Sequence, residues 1–383
     1  MLKIKQKYFK ALSASLHGKV SPNEKREKVE NDTVEFTNCK SLTCFTSSSK
    51  HEKRILALEP YQLHGKQYIA SAGGDHTIKL WDLEDNYLIA TLTGHSHEIT
   101  SLAVYVFKGL PMLASSSVDS TVRIWNLSKQ TNVHTLSVES GCVYSLATYE
   151  LYGRPMLAGG CNNSIIKIWD MSIYDLFESK TRLSIGINEP NVLKNKSLLS
   201  ECIEVEIEIE DDIAVSLEGH KGAIISSNVF YQDGKPYLVS GCEHNFIKMW
   251  CLTERKLVSI IHDGYIGEIT ALVTLQQGNK IILASGYFGG RIKLWDMESR
   301  KCIATFQAHE YFVNTLEVIR WNGIMCLISG SYDRNIKVWD LDSKTVIDSF
   351  KNKKEICTVK AFMNGDRPCL ASGNYEGSVS YWT

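Results

Sequence analysis

Tyr68-Ile69-Ala70-Ser71, followed after Gly73-Gly74-Asp75 by Thr77-Ile78-Lys79-Leu80-Trp81, is the stretch whose reading decides the fold. Apolar and polar residues alternate in both halves, which is the period of a strand, and Gly, Asp and Asn between such runs are turn formers. The closing pattern, Ile or Val, then Lys or Arg, a hydrophobic residue and Trp, recurs at Trp125, Trp169, Trp250, Trp295 and Trp339, with a degenerate copy at Trp382. The intervals are 44, 44, 81, 45, 44 and 43 residues. Only one departs, and it equals one period plus a 37-residue insertion, so there are seven units.

Four short strands in a unit of about 44 residues are the sheet content of one propeller blade. No helical 3.6-residue stripe competes within the units. The expected fold is therefore all-β, a seven-bladed propeller of four-stranded antiparallel blades, in which the closed ring removes the exposed edges that open sheets must protect.

Composition agrees with a folded chain: 44% hydrophobic and 22% charged residues among 383. No run approaches the ~18 consecutive apolar residues of a membrane span. The eleven cysteines are odd in number, scattered and never spaced as C-x-x-C, which argues for reduced thiols inside the cell and against a disulfide framework or zinc. No metal or cofactor is expected. Net charge is −1 but uneven: residues 1–28 carry +6 and residues 171–216 carry −6. The rest, being near neutral, lacks the basic footprint that nucleic-acid binding needs.

His51, His95, His220 and His309 each stand 30 residues before a Trp, at Trp81, Trp125, Trp250 and Trp339. Three of these units also hold a Ser and an Asp at fixed offsets: Ser71 and Asp75, Ser115 and Asp119, Ser329 and Asp333. With Trp-Asp dipeptides at Trp81-Asp82, Trp169-Asp170, Trp295-Asp296 and Trp339-Asp340, the chain from about residue 40 resembles the WD-repeat family. The resemblance implies that His, Ser, Asp and Trp form a hydrogen-bonded chain inside a blade. A hydrolytic triad would need one exposed Ser activated by one His. Three copies, each with a Trp, point instead to structural tetrads. Departures from the pattern, Glu139, Tyr265 and Asn352 at the histidine position and Asn163, His244, Gly289 and Glu376 at the aspartate position, mark blades expected to be held mainly by core packing.

The resemblance also implies that the last blade receives its outer strand from the segment before the first repeat. The candidate is Ser41 to Ser48, or alternatively Thr33-Val34-Glu35-Phe36. It further implies a peptide-binding narrow face, onto which the residue before each aspartate position points: Gly74, Val118, Asn162, Glu243, Phe288, Tyr332 and Tyr375. Tyr265, Tyr287, Tyr311 and Phe312 lie nearby in sequence, and Lys221, Glu243 and His244 add polarity in the fourth unit. Clustered aromatics suit an interface, since they bury area at little entropic cost; the alternative is that these rings pack among their own loops. The expected partner-binding set is thus Tyr265, Phe288, Tyr311, Phe312, Tyr332, Tyr375, Glu243 and His244.

Residues 33–383 are read as one propeller, with the acidic insertion at about 172–212 between the third and outer strands of blade three. There Glu204, Glu206, Glu208 and Glu210 alternate with Ile203, Val205, Ile207 and Ile209. That pattern fits an edge strand with an acidic face or a solvated loop. Residues 1–32 form a basic tail in which Ile4, Tyr8, Phe9, Leu12 and Leu16 have helical spacing, so it is a flexible tail or an amphipathic helix able to touch a membrane through residues 1–20. The functional expectation is a non-catalytic scaffold, or a substrate-recognition or adaptor subunit, intracellular in cytoplasm or nucleus, a monomeric propeller inside a hetero-complex with protein or peptide partners. A membrane-associated trafficking component is the alternative. An enzyme would call for a lone carboxylate or histidine pair lining the central channel.

Overall fold

The computed structural model describes residues 42–43, 50–174 and 214–382, leaving aside Asn86, Ser140, Asp263, Tyr265, Ile266, Asn279 and Asn322. Within them lie seven four-stranded antiparallel sheets and a single short 3-10 turn, Met171–Tyr174. The chain is a seven-bladed propeller. Residues 1–32, the alternative closing stretch 33–36 and the greater part of the acidic insertion lie outside the described residues.

Each blade begins with a nine-residue innermost strand: Ile55–Leu63, Ile99–Phe107, Val143–Leu151, Ile224–Gln232, Ile269–Gln277, Val313–Trp321 and Ile356–Asn364. An eight-residue second strand follows, joined to it in blades one to four by two-residue turns such as Tyr152-Gly153, with φ of 52° and 74°. Positive φ at both central positions matches the twist of the flanking strands. Pairing then runs outward through the Trp-bearing third strand to the fourth. In blade three the chain leaves Ile166–Asp170 through the 3-10 turn and returns as the outer strand Val215–Leu217, with Val215 opposite Ile168.

A one-residue bulge interrupts the start of every innermost strand, at Leu56, Thr100, Tyr144, Ile225, Thr270, Asn314 and Cys357. Bulges re-aim the side chain they carry; these seven all line the mouth of the central channel. Three of them tie successive blades, because Thr100, Thr270 and Asn314 donate to the carbonyls of Val143, Val313 and Ile356 on the next innermost strand.

The core lies between blades. Trp81, Trp125, Trp169, Trp250, Trp295 and Trp339 are all buried, each packed against the preceding sheet, as Trp125 is with Ala57, Ala72 and Leu80 of blade one. The first and last blades meet in the same way, Leu58, Ile69 and Trp81 against Cys369, Ala371, Val379 and Tyr381. Of the stretch 41–48 read as the closing strand, Leu42–Thr43 is described; it lies antiparallel to Val379–Trp382, with Leu42 opposite Tyr381.

Candidate functional site

The alternation that makes the second and third strands also turns Ser71 and Trp81 to the same interior. Trp81 Nε1 donates to Ser71 Oγ at 2.7 Å, and that oxygen lies 2.7 Å from His51 Nε2. His51 Nδ1 meets the Asp75 carboxylate at 2.8 Å. The same chain repeats in blade two, through Trp125, Ser115, His95 and Asp119, and in blade six, through Trp339, Ser329, His309 and Asp333. Each aspartate also accepts backbone N–H groups from both loops it joins, those of Glu52 and Thr77 for Asp75. Burial alone would raise the carboxyls of Asp75 and Asp333, but the histidine hydrogen bond, the attraction of the same histidine and the backbone N–H donors together outweigh it and hold both at about 2. The three serines are fully buried. Each accepts an indole N–H, so a substrate carbonyl has no approach to any of them.

The blades lacking a complete tetrad each resolve the gap differently. Blade three has Gly159 at the serine position; a Cβ there would stand 2.8 Å from the Trp169 ring, and the indole N–H of Trp169 has no partner. In blade four, Trp250, Ser240 and His220 link as elsewhere, at 2.8 and 2.7 Å. His244 occupies the aspartate position there, and His220 Nδ1 is buried without a partner. Burial first, and the neighbouring Lys248 second, push His220 down to about 4. In blade five Ser285 takes the Trp295 N–H and donates to the hydroxyl of Tyr287, which is buried. Tyr287 is thus a core ring supporting the blade, not the narrow-face residue expected from its place beside Phe288.

The narrow face is built from seven equivalent rungs. In every blade the residue before the aspartate position donates its backbone N–H to the carbonyl of the residue preceding the innermost strand. The pairs are Gly74 to Arg54, Val118 to Glu98, Asn162 to Cys142, Glu243 to Ala223, Phe288 to Glu268, Tyr332 to Phe312 and Tyr375 to Glu355, at 2.9 to 3.4 Å. Of these pairs, Arg54, Phe312, Tyr332 and Tyr375 line the channel mouth, at a cavity of about 380 Å³. On blades five to seven the ring is aromatic. Phe288 stacks on Phe312 with centroids 5.2 Å apart and planes 3° from parallel; Phe312 stacks on Tyr332 at 5.0 Å and 16°. Tyr375 and Tyr311 then meet Tyr332 edge-on, at 6.5 and 6.4 Å.

Three stretches, residues 42–82, 86–126 and 300–340, match the WD domain, G-beta repeat family. They coincide with the three blades that hold complete tetrads. The chain carries WD repeats. No curated protein matches it. WD-repeat propellers are in general scaffolds for interactions between proteins.

Within this WD-repeat propeller the expected partner-binding residues separate into kinds. Phe288, Tyr311 and Tyr332 are half-buried and Tyr375 is 40% exposed, all in one wall. Phe312, expected as a contact residue, is only 6% exposed; sandwiched between Phe288 and Tyr332, it holds them in place and offers little surface of its own. Glu243 is half-buried and His244 exposed, on the rim of blade four beside Glu268 rather than within the wall. Tyr265 lies outside the described residues. Apart from Phe312, sequence reading missed the other halves of the rungs, notably Glu268, Glu355 and the pair of Arg54 with Glu98 at 3.0 Å. Their only signal is the position just before the apolar start of each innermost strand. It missed the channel interior too, where Lys360 of blade seven bridges Glu59 of blade one and Glu317 of blade six at 3.2 and 3.0 Å. Burial would lower Lys360, but Glu317 and then Glu59 outweigh it and hold the ammonium charged. These carboxylates line the channel, yet both are committed to one lysine across the first and last blades.

Proposed function

We propose that this WD-repeat protein is a non-catalytic scaffold or adaptor subunit that receives a segment of a partner protein on its narrow face, against the wall formed by Phe288, Tyr332 and Tyr375 with Tyr311. One observation carries the reading: rings from three successive blades, whose sequence positions are 43 to 87 residues apart, converge on one edge of the channel mouth while remaining partly open to solvent. Partly exposed aromatics that form one contiguous surface favour protein contacts. The non-catalytic part draws support from the tetrads, whose serine hydroxyls and histidine nitrogens are engaged within the blades.

The test is Phe288→Ala together with Tyr332→Ala in the full chain. Truncating two rings of a contact wall is expected to remove most partner capture in affinity purification, since central aromatic anchors contribute about 2 kcal/mol or more each. A melting curve within a few degrees of the parent separates lost contact from lost fold. Unaltered capture moves the site elsewhere on the propeller.

A further inference from the structure

The charges around the aromatic wall are one-sided. Its blade-five end carries Glu268, the rung partner of Phe288, with Glu243 of blade four beside it. Its blade-seven end carries Glu355, the rung partner of Tyr375 and a neighbour of the Tyr332 hydroxyl. None of these three carboxylates is in an ion pair among the described residues. The one arginine of the rung positions, Arg54, is committed to Glu98, and Lys354 to Glu376. The exposed lysines of the same loops, Lys221 and Lys353, pair with none of the three. Burial first, and then Glu243, push the Glu268 carboxyl above the ordinary range against a smaller opposing pull from His244, as a half-buried acid outside any ion pair should be pushed.

Resting on the narrow-face reading above, we propose that the partner segment presents an arginine to this wall, its guanidinium set against the ring of Phe288 at the blade-five end of the stack and its N–H groups directed at Glu268 and Glu243, with Glu355 attracting it from the other end. A guanidinium is planar, stacks on aromatic faces and donates in its own plane, so it meets a ring and a carboxylate together. An ammonium supplies the charge without the stacking. A neutral residue leaves Glu268 half-buried and uncompensated, and an acidic one adds to the repulsion.

The probe is a set of bead-bound heptapeptide pools with randomised flanks and a fixed centre of arginine, citrulline, lysine or leucine, incubated with the full chain. Citrulline keeps the shape of arginine and removes the charge. The arginine pool is expected to retain at least fivefold more protein than citrulline and at least twofold more than lysine. Raising ionic strength to about 0.5 M should reduce the first ratio, because partly exposed charges are screened. Glu243→Gln with Glu268→Gln and Glu355→Gln, at an unchanged melting temperature, is expected to bring arginine down to the citrulline level. Equal retention of arginine and citrulline by the parent chain, which requires no variant to fold, overturns the inference; so does a lysine pool as good as arginine, or a triple variant that keeps the preference. If Phe288→Ala with Tyr332→Ala loses partner capture while arginine and citrulline bind alike, the narrow face stands and the arginine falls. If that double variant keeps its partners and the pools show no preference, both fall.

Discussion

His220 offers the sharpest test of how the tetrads work, through His244→Asp. In blades one, two and six an aspartate at this offset meets histidine Nδ1 at 2.8 to 2.9 Å and accepts backbone N–H groups from the residue after the histidine and from two residues beyond itself. The corresponding donors in blade four are His220 Nδ1 and the amides of Lys221 and Phe246. His220 Nδ1 is buried and unpaired, a situation that costs about 1–3 kcal/mol. Against the gain stands a new carboxylate beside Glu243, so the net expectation at neutral pH is about 1–2 kcal/mol of added stability, a rise of about 2–4 °C in Tm. The pH dependence carries a sign as well. Burial and Lys248 depress folded His220 to about 4, below its unfolded value of about 6.5. Between those values the unfolded chain binds the proton and the folded chain does not, so the parent loses stability as pH falls from 7 toward 4, by up to about 3 kcal/mol from this group. In the His244→Asp variant the protonated imidazole gains a partner and that loss shrinks. Thermal melts of parent and variant at pH 7.5 and pH 5.0 should show a gap in Tm that widens at the lower pH. A variant that melts lower at pH 7.5, or a gap that narrows at pH 5.0, refutes the account.

Ser71→Ala should cost about 2–4 kcal/mol, because it removes the buried hydroxyl that accepts the Trp81 indole N–H and meets His51 Nε2. Ser372→Ala, at the matching position in blade seven where the hydroxyl already lacks a partner, should change stability by no more than about 0.5 kcal/mol; equal losses in urea unfolding would remove the network explanation. Deleting residues 30–50, which takes away the pairing of Leu42–Thr43 with Val379–Trp382, is expected to lower Tm by several degrees, and an unchanged melting temperature would refute the closing role of that segment.

The blade count was legible because Trp81, Trp125 and their counterparts mark one interior strand per unit, and a single irregular interval between Trp169 and Trp250 falls where an outer strand is delayed to Val215–Leu217. The tetrad offsets were equally legible, since His51, Ser71, Asp75 and Trp81 repeat as a set. The site was legible only by half. Phe288, Tyr332 and Tyr375 stand before a recognisable turn, whereas Glu268 and Glu355 stand before an ordinary Ile, with nothing in residue type to set them apart. Tyr287 and Phe288 show the limit of reading aromatic residues by type: Tyr287 is the last residue of its strand, on the same side as Ser285 two positions before it, and its ring is buried there, whereas Phe288 begins the turn and its ring helps to form the rim.

Strand period, turn position and repeat length belong to the chain by itself, because each depends on residues a few positions apart. Which rings stack, which carboxylates lack a cation and which lysine spans the first and last blades depend on side chains far apart in the chain. Phe312 lies 24 residues from Phe288 and Lys360 lies 301 from Glu59; no local pattern relates them. Only the angle at which seven twisted sheets pack around a common axis brings them within contact, and that angle is set by the tryptophans and small residues packed between the blades.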